Sequence, residues 1–271
     1  MLLDFRYRMA LEFSDPVEDQ YFVMRCIPRD TDRQKLTELS TEVEPDTAVR
    51  SDTDGLGNSM LYGLIREKHT SFLLTVSGTV ETTGSLYEEH EDPSAVELFR
   101  YTAPSGYTQP GPELLSAYTM LAETAPADDY GRLIHYARYV RDTMEYLPGT
   151  TDVHTTAEEA LRLRKGVCQD YAHVLITLLR LAGIPARYAA GLMRGEGESH
   201  AWVEANCSGY WYGIDPTNNL LVDDSYIKFS HGRDYEDCMV SRGIFRNPRA
   251  IQTMGIAVSV VPEDQEAAPQ Q

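Results

Sequence analysis

Apolar residues fall at every second position at the start of the chain: Leu3, Phe5, Tyr7, Met9, Leu11 and Phe13. A period of two buries one face of a β-strand and leaves the other wet. Residues 21–28 form a second β-rich run, and 60–65 and 72–80 read as further strands. Asp54-Gly55-Leu56-Gly57-Asn58 between them is a turn cluster. Residues 1–83 therefore predict an all-β unit, a small sandwich. His69 and Cys26 lie in it without a nucleophile–base arrangement and read as structural.

The pattern changes after residue 83. Residues 84–112 carry Gly84, acidic residues, Pro93, Pro104, Pro110 and Pro112, with a short helix around 95–99, and read as a connection. Beyond it the apolar spacing turns helical over 113–121 and 129–146, where Leu133, Ala137, Val140 and Met144 share a face and Pro148-Gly149 ends the element. Thr155-Thr156-Ala157-Glu158-Glu159 has the Thr cap and early acids of a helix start. The next helix carries Cys168 in its first turn. Val174, Leu175, Leu178, Leu179 and Leu181 make it apolar nearly all round, which places it centrally, and Gly183 and Pro185 stop it. Strands follow at 186–193, 200–206 and 210–215, with a last one at 252–261. Residues 113–261 thus predict a second domain. The polar, Ala- and Gln-rich stretch 262–271 predicts a disordered tail.

Composition removes several function classes. The formal net charge of −18 opposes general affinity for nucleic acid or anionic membranes, which need basic patches. Cys26, Cys168, Cys207 and Cys238 have no CxxC spacing, so neither a disulfide framework nor a structural zinc site is read. With no signal-like N-terminus and no apolar run of membrane-spanning length, the expected address is cytoplasmic.

Three residues carry candidate chemistry. Cys168 falls in the first turn of the central helix, where unpaired N–H groups and the helix dipole favour an anion. Its own N–H is a candidate oxyanion donor. Alone, Cys168 would read as a small buried hydrophobe. His200 and Asp215 alter that reading. Asn206-Cys207-Ser208-Gly209 is a turn, and a Cys207-Ser208 loop would set His200 directly opposite Asp215; a three-residue loop shifts the pairing by one. A carboxylate on one imidazole nitrogen fixes the tautomer and frees the other nitrogen for the thiol. Around this set, Asp170 and His173, three apart on one helix, either pair with each other or act as polar core. Gln169 either donates to an oxyanion or points outward, and Trp202 and Trp211 are core or cleft-wall aromatics. Cys168, His173, His200 and Asp215 together match no compact zinc motif, so no metal is assigned, and no cofactor is called for.

The segments 166–173 (Gly-Val-Cys-Gln-Asp-Tyr-Ala-His), 181–188 (Leu-Ala-Gly-Ile-Pro-Ala-Arg-Tyr), 199–204 (Ser-His-Ala-Trp-Val-Glu) and 215–218 (Asp-Pro-Thr-Asn) resemble the core motifs of the transglutaminase-like superfamily of papain-like cysteine enzymes. Residues 22–29 and 55–58 resemble the β-rich region that precedes this core in bacterial members, and 232–235 resemble their C-terminal portion. The resemblance implies an α+β fold, with the Cys-bearing helix on an antiparallel sheet that carries His and Asp. It implies Cys168 as nucleophile, His200 as general base and acid, and Asp215 as the orienting group. The expected activity is hydrolysis of an amide in a peptide or conjugate through an acyl-thioester. The alternatives are transfer of the acyl group to an amine, or a non-enzymatic module that kept the fold. No Asp-rich loop of EF-hand spacing appears, which lowers crosslinking as the reaction.

Overall fold

A computed structural model describes residues 1–89 and 94–263. Pro93 of the connection and residues 264–271 of the expected tail lie outside the described residues. The first half contains β1 (Leu2–Met24), β2 (Gln34–Glu44), β3 (Val49–Thr53), β4 (Ser59–Ile65) and β5 (His69–Thr82). The two β-rich runs at 3–13 and 21–28 are therefore one strand up to Met24. β1 buries odd-numbered residues through Val17 and even-numbered ones from Gln20 on; it breaks register with β5 between Glu12 and Val17, around Pro16, and Asp19 has a φ of 49°. Pro cannot donate to a ladder and a bulge bends its strand. β1 consequently serves two sheet segments, pairing with β5 along its first part and with β4 along its second. Phe5, Tyr7 and Met9 from one part and Phe22 and Met24 from the other enter the same core. Burying each such side chain contributes about 1.5–3 kcal/mol.

The middle of the chain is helical: β6 (Tyr87–Glu89), α1 (Ala95–Thr102), α2 (Pro112–Ala122), α3 (Asp129–Thr143), β7 (Glu145–Tyr146), α4 (Ala157–Leu163), β8 (Lys165–Gly166) and α5 (Cys168–Leu181). α3 stops short of the predicted residue 146. Met144 is its extended C-cap, and Glu145–Tyr146 pair in parallel with Lys165–Gly166, so tertiary pairing overrides the helical spacing. Thr156 caps α4 by accepting from the Glu159 N–H at 3.3 Å, and the Glu159 carboxylate accepts from the Thr156 N–H at 2.9 Å.

The last part holds β9 (Ala186–Met193), β10 (Gly195–Gly197), β11 (His200–Cys207), β12 (Tyr210–Asp215), β13 (Leu220–Leu221), β14 (Tyr226–Gly232), α6 (Tyr235–Cys238), β15 (Ser241–Arg246) and β16 (Gln252–Pro262). β13, β12, β11, β9 and β14 lie side by side as an antiparallel sheet, with β6 added to β12. α5 lies against β9 and β11, with α2, α3 and α4 around it. Odd-numbered residues of β11 (Ala201, Val203, Ala205, Cys207) face the helices and share their core. The opposite face of this sheet meets the first sheet: the Phe229 ring sits edge-on to Phe5 and Tyr7, with centroids 6.2 and 6.0 Å away. β15 and β16 return to pair with β1. The strand expected at 252–261 is thus present, but it completes the first sheet rather than the second.

Candidate active site

The segment before α5 is shaped around one carboxylate. Asp170 Oδ2 accepts from the Val167 N–H at 2.8 Å and from the Thr151 hydroxyl at 2.7 Å. A Cβ at position 166 would lie 2.4 Å from that oxygen, which is why the approach to the helix needs Gly166. Cys168 follows as the first helical residue, where no intrahelical acceptor exists for its N–H. It is half-buried, whereas Cys26, Cys207 and Cys238 are buried. Burial pushes the Cys207 thiol up to about 12 and the Cys26 and Cys238 thiols well up, leaving them inert.

His200 opens β11 and Asp215 closes β12. Their strands are joined by a two-residue turn, Ser208-Gly209, not by Cys207-Ser208. Ser208 and Gly209 both have positive φ, 56° and 93°, as a type I′ turn requires. The Gly209 N–H donates to the Asn206 side chain at 3.1 Å. Cys207 therefore pairs with Tyr210, and the register differs by two positions from one that sets His200 opposite Asp215. A shift of two keeps the face and makes the pair diagonal neighbours rather than direct ones. The side chains close the gap: His200 Nε2 donates to Asp215 Oδ2 at 2.7 Å. Nδ1 is left for the Cys168 sulfur. Burial would lower the His200 imidazole, but the hydrogen bond to Asp215, then one with Cys168, push it up to about 10.

Asp215 is fully buried and fully engaged. Oδ2 also accepts from Asn218 Nδ2 at 2.7 Å and the Tyr226 hydroxyl at 3.0 Å, and Oδ1 accepts from the Thr217 and Asn218 N–H groups at 2.9 and 3.2 Å. Burial works to raise its carboxyl, yet these donors, His200 foremost, hold it below the ordinary carboxylate value. Asn218 belongs to the Asp-Pro-Thr-Asn segment, whose Asx-like turn could have flagged it. Tyr226 carries no such signal, because in the apolar run Tyr-Ile-Lys-Phe it reads as core.

The other candidates sit elsewhere. Gln169 is buried, not outward, and its Nε2 donates to the Val153 carbonyl at 3.3 Å, so with Thr151 it ties the 151–155 loop to the start of α5. Asp170 and His173 do not pair: Asp170 turns to Val167 and Thr151, while His173 Nε2 accepts from the Tyr235 N–H at 3.1 Å and its ring stacks on Tyr107 at 5.0 Å. Burial, then Arg180, push the His173 imidazole down to about 3, so it is neutral. Trp202 is core rather than cleft wall, 1% exposed and edge-on to the Tyr226 ring at 5.5 Å. Among the described residues no group of three or more His, Cys, Asp or Glu is arranged to hold a metal, and no helix is long and apolar enough to cross a membrane.

A second buried polar set underlies the site. Glu204 receives Arg187 Nε at 2.6 Å and Lys228 Nζ at 2.8 Å, and the Arg187 guanidinium lies 4.2 Å over the Trp211 ring. Burial alone would raise the Glu204 carboxyl; Arg187, then Lys228, hold it well below the usual range. This set ties β9, β11, β12 and β14 together under the strands that carry His200 and Asp215.

A free thiol at the start of a buried helix, facing an imidazole held by a buried carboxylate on an antiparallel sheet, is the arrangement of papain-like cysteine enzymes. The chain belongs to the transglutaminase-like superfamily. Residues 119–216 match the transglutaminase-like superfamily core, and residues 3–81 match the bacterial transglutaminase-like N-terminal region. The uncharacterized protein ML0607 of Mycobacterium leprae is 30% identical over 251 residues, covering 86% of this chain and 89% of that one. The uncharacterized protein Rv2569c of Mycobacterium tuberculosis is 28% identical, covering 96% and 93%. The crystal structure of a "putative cysteine protease" from Cytophaga hutchinsonii covers 99% of this chain and 93% of that one, at 23% identity and a TM-score of 0.78. It shares the fold over nearly the whole length.

Proposed function

We propose that this protein is a cysteine hydrolase that cleaves an amide bond in a peptide or conjugate through an acyl-thioester on Cys168. The observation that carries the reading is the 2.7 Å contact from His200 Nε2 to buried Asp215 Oδ2, beside the one half-buried thiol of the four. In this reading the Cys168 thiolate attacks the amide carbonyl carbon. As the C–N bond breaks, imidazolium Nδ1–H passes its proton to the leaving amine. The neutral imidazole then takes a proton from water, hydroxide attacks the thioester, and the S–C bond breaks to release a carboxylic acid. The Cys168 N–H is one donor for the oxyanion.

Water is the acceptor unless a site excludes it and presents an amine. The test is incubation with a defined peptide mixture, with and without an excess of a primary amine such as cadaverine, followed by mass spectrometry of the products. Free carboxylic acids, absent with Cys168→Ala, are expected in both. Amine adducts dominating over acids would replace hydrolysis by acyl transfer.

A further inference from the structure

Three donors converge on a single oxygen, Asp215 Oδ2: His200 Nε2 at 2.7 Å, Asn218 Nδ2 at 2.7 Å and the Tyr226 hydroxyl at 3.0 Å. A carboxylate oxygen offers two lone pairs, so the third donor draws on density that would otherwise serve the other two. Tyr226 is well placed for this alone. Its ring is buried, edge-on to Trp202 at 5.5 Å and 6.2 Å from the His200 ring, so the hydroxyl is carried by a rigid support. It comes from β14, whereas Asp215 lies on β12, and β11 and β9 separate the two strands in the sheet.

We infer that Tyr226 is a positioning residue that fixes Asp215 from a separate strand and moderates the His200–Asp215 hydrogen bond, keeping the imidazolium proton available to a leaving group. The Tyr226 phenol is pushed well up by burial, then by Asp215, so it stays a donor. The charged and titratable groups that face His200 are Asp215 on β12, Cys168 on α5 and Tyr226 on β14. Tyr146 on β7 feels Cys168, Glu198 and Asp215. The consequence for turnover rests on the hydrolase reading; the effect on His200 does not.

The test is an NMR titration of the His200 imidazole in the intact chain. Tyr226→Phe keeps the ring and removes only the hydroxyl. Its expected result is a native thermal transition with the His200 midpoint raised by about half a unit to one unit, because Asp215 becomes the better acceptor for the imidazolium. Replacing Tyr226 by 3-fluorotyrosine keeps the donor and makes it stronger, so the midpoint is expected to fall; this second variant stands if the first fails to fold. A midpoint unmoved by either change, or moved in the wrong direction, would overturn the inference and still leave a Cys168–His200–Asp215 hydrolase intact.

Discussion

The inward face of β1 carries Leu3, Phe5, Tyr7, Met9, Leu11 and Phe13, all apolar or aromatic and buried, while the second sheet buries Arg187, Glu204, Asp215 and Lys228. The first sheet gains stability by removing apolar surface from water, and many substitutions of similar volume would serve. The second contains groups that are costly to bury unless every one is paired. Their pairing is directional, so it fixes the relative positions of β9, β11, β12 and β14 more narrowly than apolar contact does. A site whose parts come from α5, β11, β12 and β14 needs that narrowness, and Glu204 and Lys228 of the polar interior line one small cavity with Trp202 and Tyr226.

The comparison can be sharpened by substitutions that separate the two regions. The largest effect is expected at the site. Asp215→Asn removes the charge that raises His200, and turnover should fall on the order of 10³–10⁴-fold with the fold intact. The sign of the accompanying pH effect follows from the shift. His200 is charged below about 10 in the native chain, so kcat/KM should fall as pH rises through that value. In Asp215→Asn the falling limb should move down toward the ordinary imidazole value of about 6.5. Next in size, Glu204→Ala strands Arg187 and Lys228 in the interior and should cost about 3–5 kcal/mol by denaturant unfolding. Smallest, Leu74→Ala in the core of the first sheet should cost about 2–5 kcal/mol, with the reactivity of Cys168 under native conditions unchanged. If Leu74→Ala altered that reactivity as much as Asp215→Asn, the two regions would not be separable.

What the sequence revealed follows the range of the interactions concerned. β9 and β12 were legible to the residue, and a Thr-capped start of α4 and a first turn of α5 holding Cys168 were legible to within a residue or so, because local spacing and capping determine them. β2 was missed: most of its side chains are exposed, so no alternation marks it. The destination of β16 was not legible either, since its partner β1 lies at the other end of the chain. At the site, the residue types and the closeness of His200 and Asp215 on adjacent strands could be read; whether they shared a face depended on the loop length. The register could not be read, because it depends on two successive positive-φ residues, and only Gly209 advertises one. Tyr226 was invisible for the reason β16 was: its contact with Asp215 crosses the sheet.

The central claim is an activated thiol–imidazole pair, and the most direct measurement is the alkylation rate of Cys168 against pH, resolved by site with mass spectrometry, in the native chain and in His200→Ala. Cys26, Cys207 and Cys238, all buried, serve as internal controls. The account predicts that near pH 7 Cys168 labels at least about tenfold faster in the native chain than in His200→Ala, because the imidazolium stabilises the reacting thiolate. Equal rates in the two proteins would contradict it.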